Sequence, residues 1–105
     1  VSLTGSVGTG KAVMSDAATQ VKAVTLELGG KSPMIVFADC DFEKTVSGAL
    51  TSMRFTRQGQ SCTAASRIYV ERPIFDRFVA AMKTAVDGMV MGDPLDEKTD
   101  IGTII

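Results

Sequence analysis

Three places in this sequence hold residues whose type and setting could do chemistry. Cys62 sits in a polar loop, Gln58-Gly59-Gln60-Ser61-Cys62-Thr63, where cysteines that only fill a core seldom lie. An ordinary thiol is only about 3% thiolate at neutral pH, so a nucleophilic role would need nearby N–H groups or a cofactor charge; the other reading is an inert thiol. Glu27 is the odd residue of an alternating apolar run and is followed closely by Gly29-Gly30. It is either a solvated polar-face residue or a general base on the carboxyl edge of a sheet, where open α/β folds bind ligands. Gly5-Ser6-Val7-Gly8-Thr9-Gly10-Lys11-Ala12 nearly spells a P-loop, but Ala12 stands where a Mg²⁺-binding hydroxyl is required, so a nucleoside triphosphatase is set aside. What survives is a glycine turn leading into a helix, which would suit a dinucleotide pyrophosphate or a nicotinamide ribose, or would be a tight turn binding nothing. Cys40, just after an apolar run and before a helix cap, reads as packing.

The rest of the composition narrows these options. There is no histidine, so a base must be a carboxylate, lysine or tyrosine. With two cysteines there are too few nitrogen and sulfur ligands for a usual zinc site, and no metal is expected. A disulfide scaffold is also excluded, which makes a reducing, cytoplasmic setting the default. A net charge of −1 gives no electrostatic case for nucleic acid or an anionic membrane. No apolar run reaches the roughly 20 residues needed to span a bilayer, and no leader pattern marks secretion.

These residues must be positioned by strands and helices, and the pattern alternates between the two. Val1 to Thr4 reads as a short strand, followed by the glycine turn and a helix from about Lys11 to Val21 with Val13, Ala17 and Val21 on one stripe. Val24 to Leu28 alternates as a half-buried strand until Gly29-Gly30 breaks it. Met34-Ile35-Val36-Phe37 is a continuous apolar run, expected of a strand buried on both faces. Asp41 caps a helix in which Phe42, Thr45, Val46, Ala49, Leu50 and Met53 recur at helical spacing. A polar loop runs from about Thr56 to Ala65, then a strand over Ile68 to Val70. Pro73 fits the first turn of a helix with the stripe Phe75, Phe78, Val79, Met82, Val86 and Met89, ended by Gly92-Asp93-Pro94. Strands alternating with helices mean an α/β fold with a largely parallel sheet. Val1 opens inside a strand and Thr103-Ile104-Ile105 is an apolar stub, so the ends read as cut.

Taken together, the motifs resemble one family. Leu26-Glu27-Leu28-Gly29-Gly30-Lys31-Ser32-Pro33 is similar to the glutamate signature of aldehyde dehydrogenases, and Phe55-Thr56-Arg57-Gln58-Gly59-Gln60-Ser61-Cys62-Thr63-Ala64 to their cysteine signature. Thr4-Gly5-Ser6-Val7-Gly8-Thr9-Gly10 looks like their nicotinamide-side loop, and order and separation agree from Val1 to Ile105. The resemblance implies a central fragment of the aldehyde dehydrogenase fold. Residues 1–27 would end a Rossmann-like cofactor domain and residues 28–105 would begin an α/β catalytic domain, with the active site where they meet. It further implies oxidation of an aldehyde to a carboxylic acid with NAD or NADP through a cysteine thiohemiacetal and thioester. Cys62 would be the nucleophile, its backbone N–H half of the oxyanion hole, and Glu27 the base that activates water. Gly5, Ser6, Gly10 and Leu28 match positions near the cofactor, and a full-length member would be a homodimer or homotetramer.

Leu3 replaces a frequent phenylalanine. The family's oxyanion-hole asparagine falls before Val1 and its oligomerisation strand after Ile105, and NAD versus NADP is not set by the residues present. Ser61, Thr63 and Arg54 to Arg57 flank the implied pocket. Semialdehyde-specific relatives carry arginine where this chain has Thr56, which argues against a dicarboxylic semialdehyde, although Arg57 next door keeps it open. The rivals are an acylating relative, which generally lacks the glutamate, and a non-enzyme: an inactive truncated fragment or a thiol-based interaction module.

Overall fold

Ser6 decides where the first helix begins. In the computed structural model, which describes residues 1–105, the Ser6 hydroxyl accepts the Thr9 N–H at 3.1 Å and lies 2.9 Å from the Thr9 hydroxyl. This side-chain cap satisfies one of the donors that a helix start leaves unpaired. α1 therefore runs Val7–Ala18, four residues ahead of the start at Lys11 that the glycines suggested. Gly8 and Gly10 lie inside its first turns, where capping outweighs their weak helix propensity.

The same helix also ends early. The sequence pattern puts Val21 on its apolar stripe, but it lies beyond the helix, at φ 52° and 93% exposed. The Lys22 N–H reaches the Ala17 carbonyl at 3.0 Å and the Val21 N–H the Ala18 carbonyl at 3.1 Å. That pair of bonds is a Schellman motif, and it puts Val21 at the left-handed position usually given to glycine. The chain is thereby turned back to lay β2 (Thr25–Glu27) parallel to β1 (Ser2–Thr4), with Thr4 opposite Glu27. A parallel pair needs a crossover, and α1 supplies it. These elements make one compact unit, Val1–Gly30; Lys31–Ile105 form a second.

The second unit repeats the strand–helix–strand plan. β3 (Ser32–Val36) pairs in parallel with β4 (Ala65–Val70), with Met34 opposite Ile68 and Val36 opposite Val70. The register slips between Ser32 and Pro33, where proline has no N–H for the ladder. Between the strands, α2 (Phe42–Ser52) is capped by Asp41, whose carboxylate accepts the Lys44 N–H at 3.3 Å and pairs with the Lys44 ammonium at 2.8 Å. After β4 the Glu71 carboxylate accepts the Ala38 N–H at 2.6 Å, fastening the two strand ends. Pro73 belongs to a separate 3-10 turn (Arg72–Ile74), and only then does α3 (Phe75–Asp87) begin. α3 stops at Gly88, short of the expected Gly92. Met89 lies past its end, and the chain is already extended where Met91 bridges to Ile101.

The core sits between β3–β4 and the two helices. Val36, Val46, Ala49 and Phe78 are buried, with Cys40 and Phe42 packed against them. The Phe42 ring meets the edge of Phe78 at 6.4 Å and carries the Arg77 guanidinium 3.7 Å from its centroid. α2 and α3 cover the same face, so the expectation of a strand buried on both sides fails here. Ile35 is 63% and Phe37 60% exposed, beside the half-exposed Tyr69. No helix is long and apolar enough to cross a membrane.

Candidate active site

In the first unit the residues singled out from the sequence gather at the carboxyl ends of the parallel strands. Gly5 follows β1, and its N–H donates to the Glu27 carbonyl at 3.0 Å, extending the ladder by one bond. The Glu27 backbone is thus held while its carboxylate stands exposed at the end of β2. Leu28 comes next and turns back over α1. A Cβ added at the buried Gly10 would lie 2.7 Å from Leu28 Cδ2 and 2.9 Å from Cδ1, so Gly10 lets the leucine settle on the helix. Gly10 and Leu28 are therefore a packed pair, and the Ser6 hydroxyl is engaged in capping.

The donors left over are on the backbone. α1 starts its ladder with the Gly10 N–H on the Ser6 carbonyl at 2.9 Å. The N–H groups of Val7 and Gly8, one turn earlier, have no helical acceptor. Exposed glycines at positions 5 and 8 and free N–H groups at a helix start fit the anionic part of a dinucleotide. Val7 and Gly8 would offer it their N–H groups.

In the second unit Cys62 is exposed, and the chain around it is closely bonded. α2 ends at Ser52 with Met53 as its C-cap, and the chain then passes a 3-10 turn (Phe55–Arg57) bracketed by left-handed residues, Arg54 at φ 57° and Gln58 at φ 54°. Such a conformation is uncommon away from glycine and holds only where neighbours enforce it. The Gln60 N–H donates to the Arg57 carbonyl at 2.9 Å and the Ser61 N–H to the Gly59 carbonyl at 3.0 Å. The Ala64 N–H closes a β-turn on the Ser61 carbonyl at 3.1 Å, with Cys62 and Thr63 at its corners. Thr63 gives its N–H to the Ser61 hydroxyl at 3.4 Å, and the two hydroxyls are 3.1 Å apart. The N–H of Cys62 enters none of these bonds, so an exposed thiol and an unpaired donor come from one residue. Cys40, the other thiol, packs against the core.

Two features here were not anticipated. The sequence marks Ser61 only as flanking the implied pocket, although serine at the first position of a β-turn is a recognisable local signal. Arg54 has a buried Nε without a hydrogen-bond partner, and nothing in the sequence marks it. No group of three or more His, Cys, Asp or Glu comes together to hold a metal ion.

Known proteins match this chain along its length. Residues 1–105 match the sequence model of the aldehyde dehydrogenase family. A betaine aldehyde dehydrogenase of Vibrio vulnificus is 47% identical over 105 residues, which is 100% of this chain and 21% of that protein. A 2-hydroxymuconic semialdehyde dehydrogenase of Pseudomonas putida is 48% identical over 102 residues, 97% of this chain and 21% of that protein. The crystal structure of a Staphylococcus aureus betaine aldehyde dehydrogenase in complex with NAD+ superposes with a TM-score of 0.92 at 42% identity, covering 99% of this chain and 20% of that one. The chain spans about a fifth of the length of the curated relatives it matches. With the family's model matched from first residue to last, the chain belongs to the aldehyde dehydrogenase family.

Proposed function

We propose that this segment carries the chemical groups of an NAD(P)-dependent aldehyde dehydrogenase that oxidises an aldehyde to a carboxylic acid. The observation that supports it most is the turn at Cys62, where an exposed thiol and an unpaired N–H belong to one residue. That is the pairing a nucleophile and its oxyanion donor require. The Cys62 thiolate attacks the aldehyde carbon, and the Cys62 N–H receives the negative oxygen of the tetrahedral adduct. NAD or NADP, when bound, would supply the hydride acceptor that this oxidation needs, and Cys62 would retain the acyl group as a thioester. Glu27 then removes a proton from water, whose oxygen attacks the thioester, releasing the acid and restoring the Cys62 sulfur. Val7 and Gly8 would hold the dinucleotide through their N–H groups, with Gly5, Ser6, Gly10 and Leu28 shaping that edge.

In this proposal residues 1–27 close the cofactor domain and residues 28–105 open the catalytic domain. The protein works as a homodimer or homotetramer. Two free cysteines suit the reducing cytoplasm. The relatives' names cover betaine aldehyde and a hydroxymuconic semialdehyde. An aldehyde with a polar or charged remainder is therefore the substrate class, with Arg57 beside the cysteine loop available for an anionic one. The test is made in a full-length protein carrying this segment. Cys62→Ala is expected to abolish both NAD(P)-linked aldehyde oxidation and ester hydrolysis, since both pass through the covalent intermediate. Ester turnover at the parent rate in that variant would overturn the assignment.

A further inference from the structure

We infer that Ser61 is a positioning residue for the oxyanion donor of Cys62; this deepens the proposal that Cys62 is the nucleophile and rests on it. In the β-turn from Ser61 to Ala64 there are three N–H groups after Ser61, and two of them are taken. Ala64 donates to the Ser61 carbonyl at 3.1 Å, and Thr63 donates to the Ser61 hydroxyl at 3.4 Å. Both acceptors belong to the same serine. The group between them, the Cys62 N–H, is left unpaired by the same geometry, because the first corner of a β-turn directs its N–H away from the turn's own acceptors. The Ser61 and Thr63 hydroxyls, 3.1 Å apart, tie the turn a second time. Neither Cys62 nor Thr63 adopts a positive φ, so the turn needs no glycine and its shape rests on these bonds.

The consequence is specific to steps that build charge on oxygen. When the Cys62 sulfur attacks an ester carbonyl, a C–S bond forms and the carbonyl electron pair moves onto oxygen, where the Cys62 N–H meets it. The pair then returns and expels the alcohol as its anion. An alkyl halide reacting with the same sulfur forms a C–S bond and loses halide with no oxyanion. Loss of the Ser61 hydroxyl frees the Thr63 N–H and loosens the turn, which misdirects the Cys62 donor but leaves the thiol where it is.

The experiment compares the two reactions in the full-length protein without cofactor, using p-nitrophenyl acetate burst rates and iodoacetamide alkylation followed at Cys62 by peptide mass. Ser61→Ala is expected to slow ester acylation by on the order of tenfold, less than the roughly 10²–10³ for deleting an oxyanion donor outright. Alkylation should stay within about twofold. Ser61→Thr keeps the hydroxyl and is expected to restore acylation. Unchanged acylation in Ser61→Ala, or equal losses in both reactions, would overturn the positioning role. Cys62→Ala separates the two roles: an ester burst surviving it would remove the nucleophile itself, whereas a burst lost in Cys62→Ala but kept at the parent rate in Ser61→Ala would remove the positioning role alone.

Discussion

Glu27 is anchored by its main chain, not its side chain: its carbonyl accepts the Gly5 N–H at 3.0 Å and it pairs with Thr4 across the ladder. A change of side chain therefore leaves β1 and β2 intact, which makes Glu27→Gln a clean test of chemistry. The expected trace is a rapid burst of NADH followed by slow turnover, with deacylation reduced by on the order of 10²–10⁴-fold. A vanished burst with steady turnover preserved would show that Glu27 is not the deacylation base. Both candidate groups were legible in the sequence because each breaks its local pattern: a cysteine in a polar loop, and a carboxylate before a glycine pair. The packing of Cys40 was legible for the opposite reason, since it adjoins an apolar strand. What was not read was the hydrogen bonding around Cys62: one Ser61 acceptor is a carbonyl that any residue offers, and the other is a hydroxyl that meets the Thr63 N–H only once the turn has formed.

Helix ends were the least legible feature at the scale of elements, and each miss has a local cause. Glycine at positions 8 and 10 disguised a helix start that the Ser6 cap had already set, and a valine stands where a Schellman turn prefers glycine. That second conflict predicts a gain. Val21 is 93% exposed and loses little packing on truncation, so Val21→Gly should stabilise the fold by about 1 kcal/mol through relief of the left-handed valine. The denaturant midpoint relative to the parent measures it, and a fall would show that the valine is not strained. The α2 cap has an electrostatic signature instead. The Lys44 ammonium, and after it the Lys44 N–H, hold the Asp41 carboxyl below its ordinary 3.8. A folded-state value that is depressed adds stability above the unfolded value and loses it as pH falls through the folded one. The melting temperature of Asp41→Asn should thus lie below the parent's at about pH 6 and converge with it only as the pH falls below the ordinary 3.8. A gap independent of pH would remove the ion pair from the account.

For the molecule as a whole, the alternation of strands and helices was enough to give an α/β fold with parallel pairing, and both strand pairs are parallel. The one-sided cover of β3 was not legible, since an apolar run looks the same whether one face or two are packed within this chain. Two sheets of two strands each, below the three or more that a free-standing sheet usually needs, predict the behaviour of the isolated chain. It should have a titratable thiol, tend to self-associate through its open strand edges and show no aldehyde oxidation. Following NADH formation with acetaldehyde and a longer aliphatic aldehyde tests this; turnover within a factor of ten of an ordinary enzyme's ~10 s⁻¹ would show a complete site instead. The open face of β3–β4 also gives the chain an optical handle. It has no tryptophan and a single tyrosine, and that residue, Tyr69, lies 51% exposed on this face with Arg67 above its ring. Phenol fluorescence of the chain is thus a one-site signal. Its quenching by acrylamide should track, in real time, whatever comes to lie over that face.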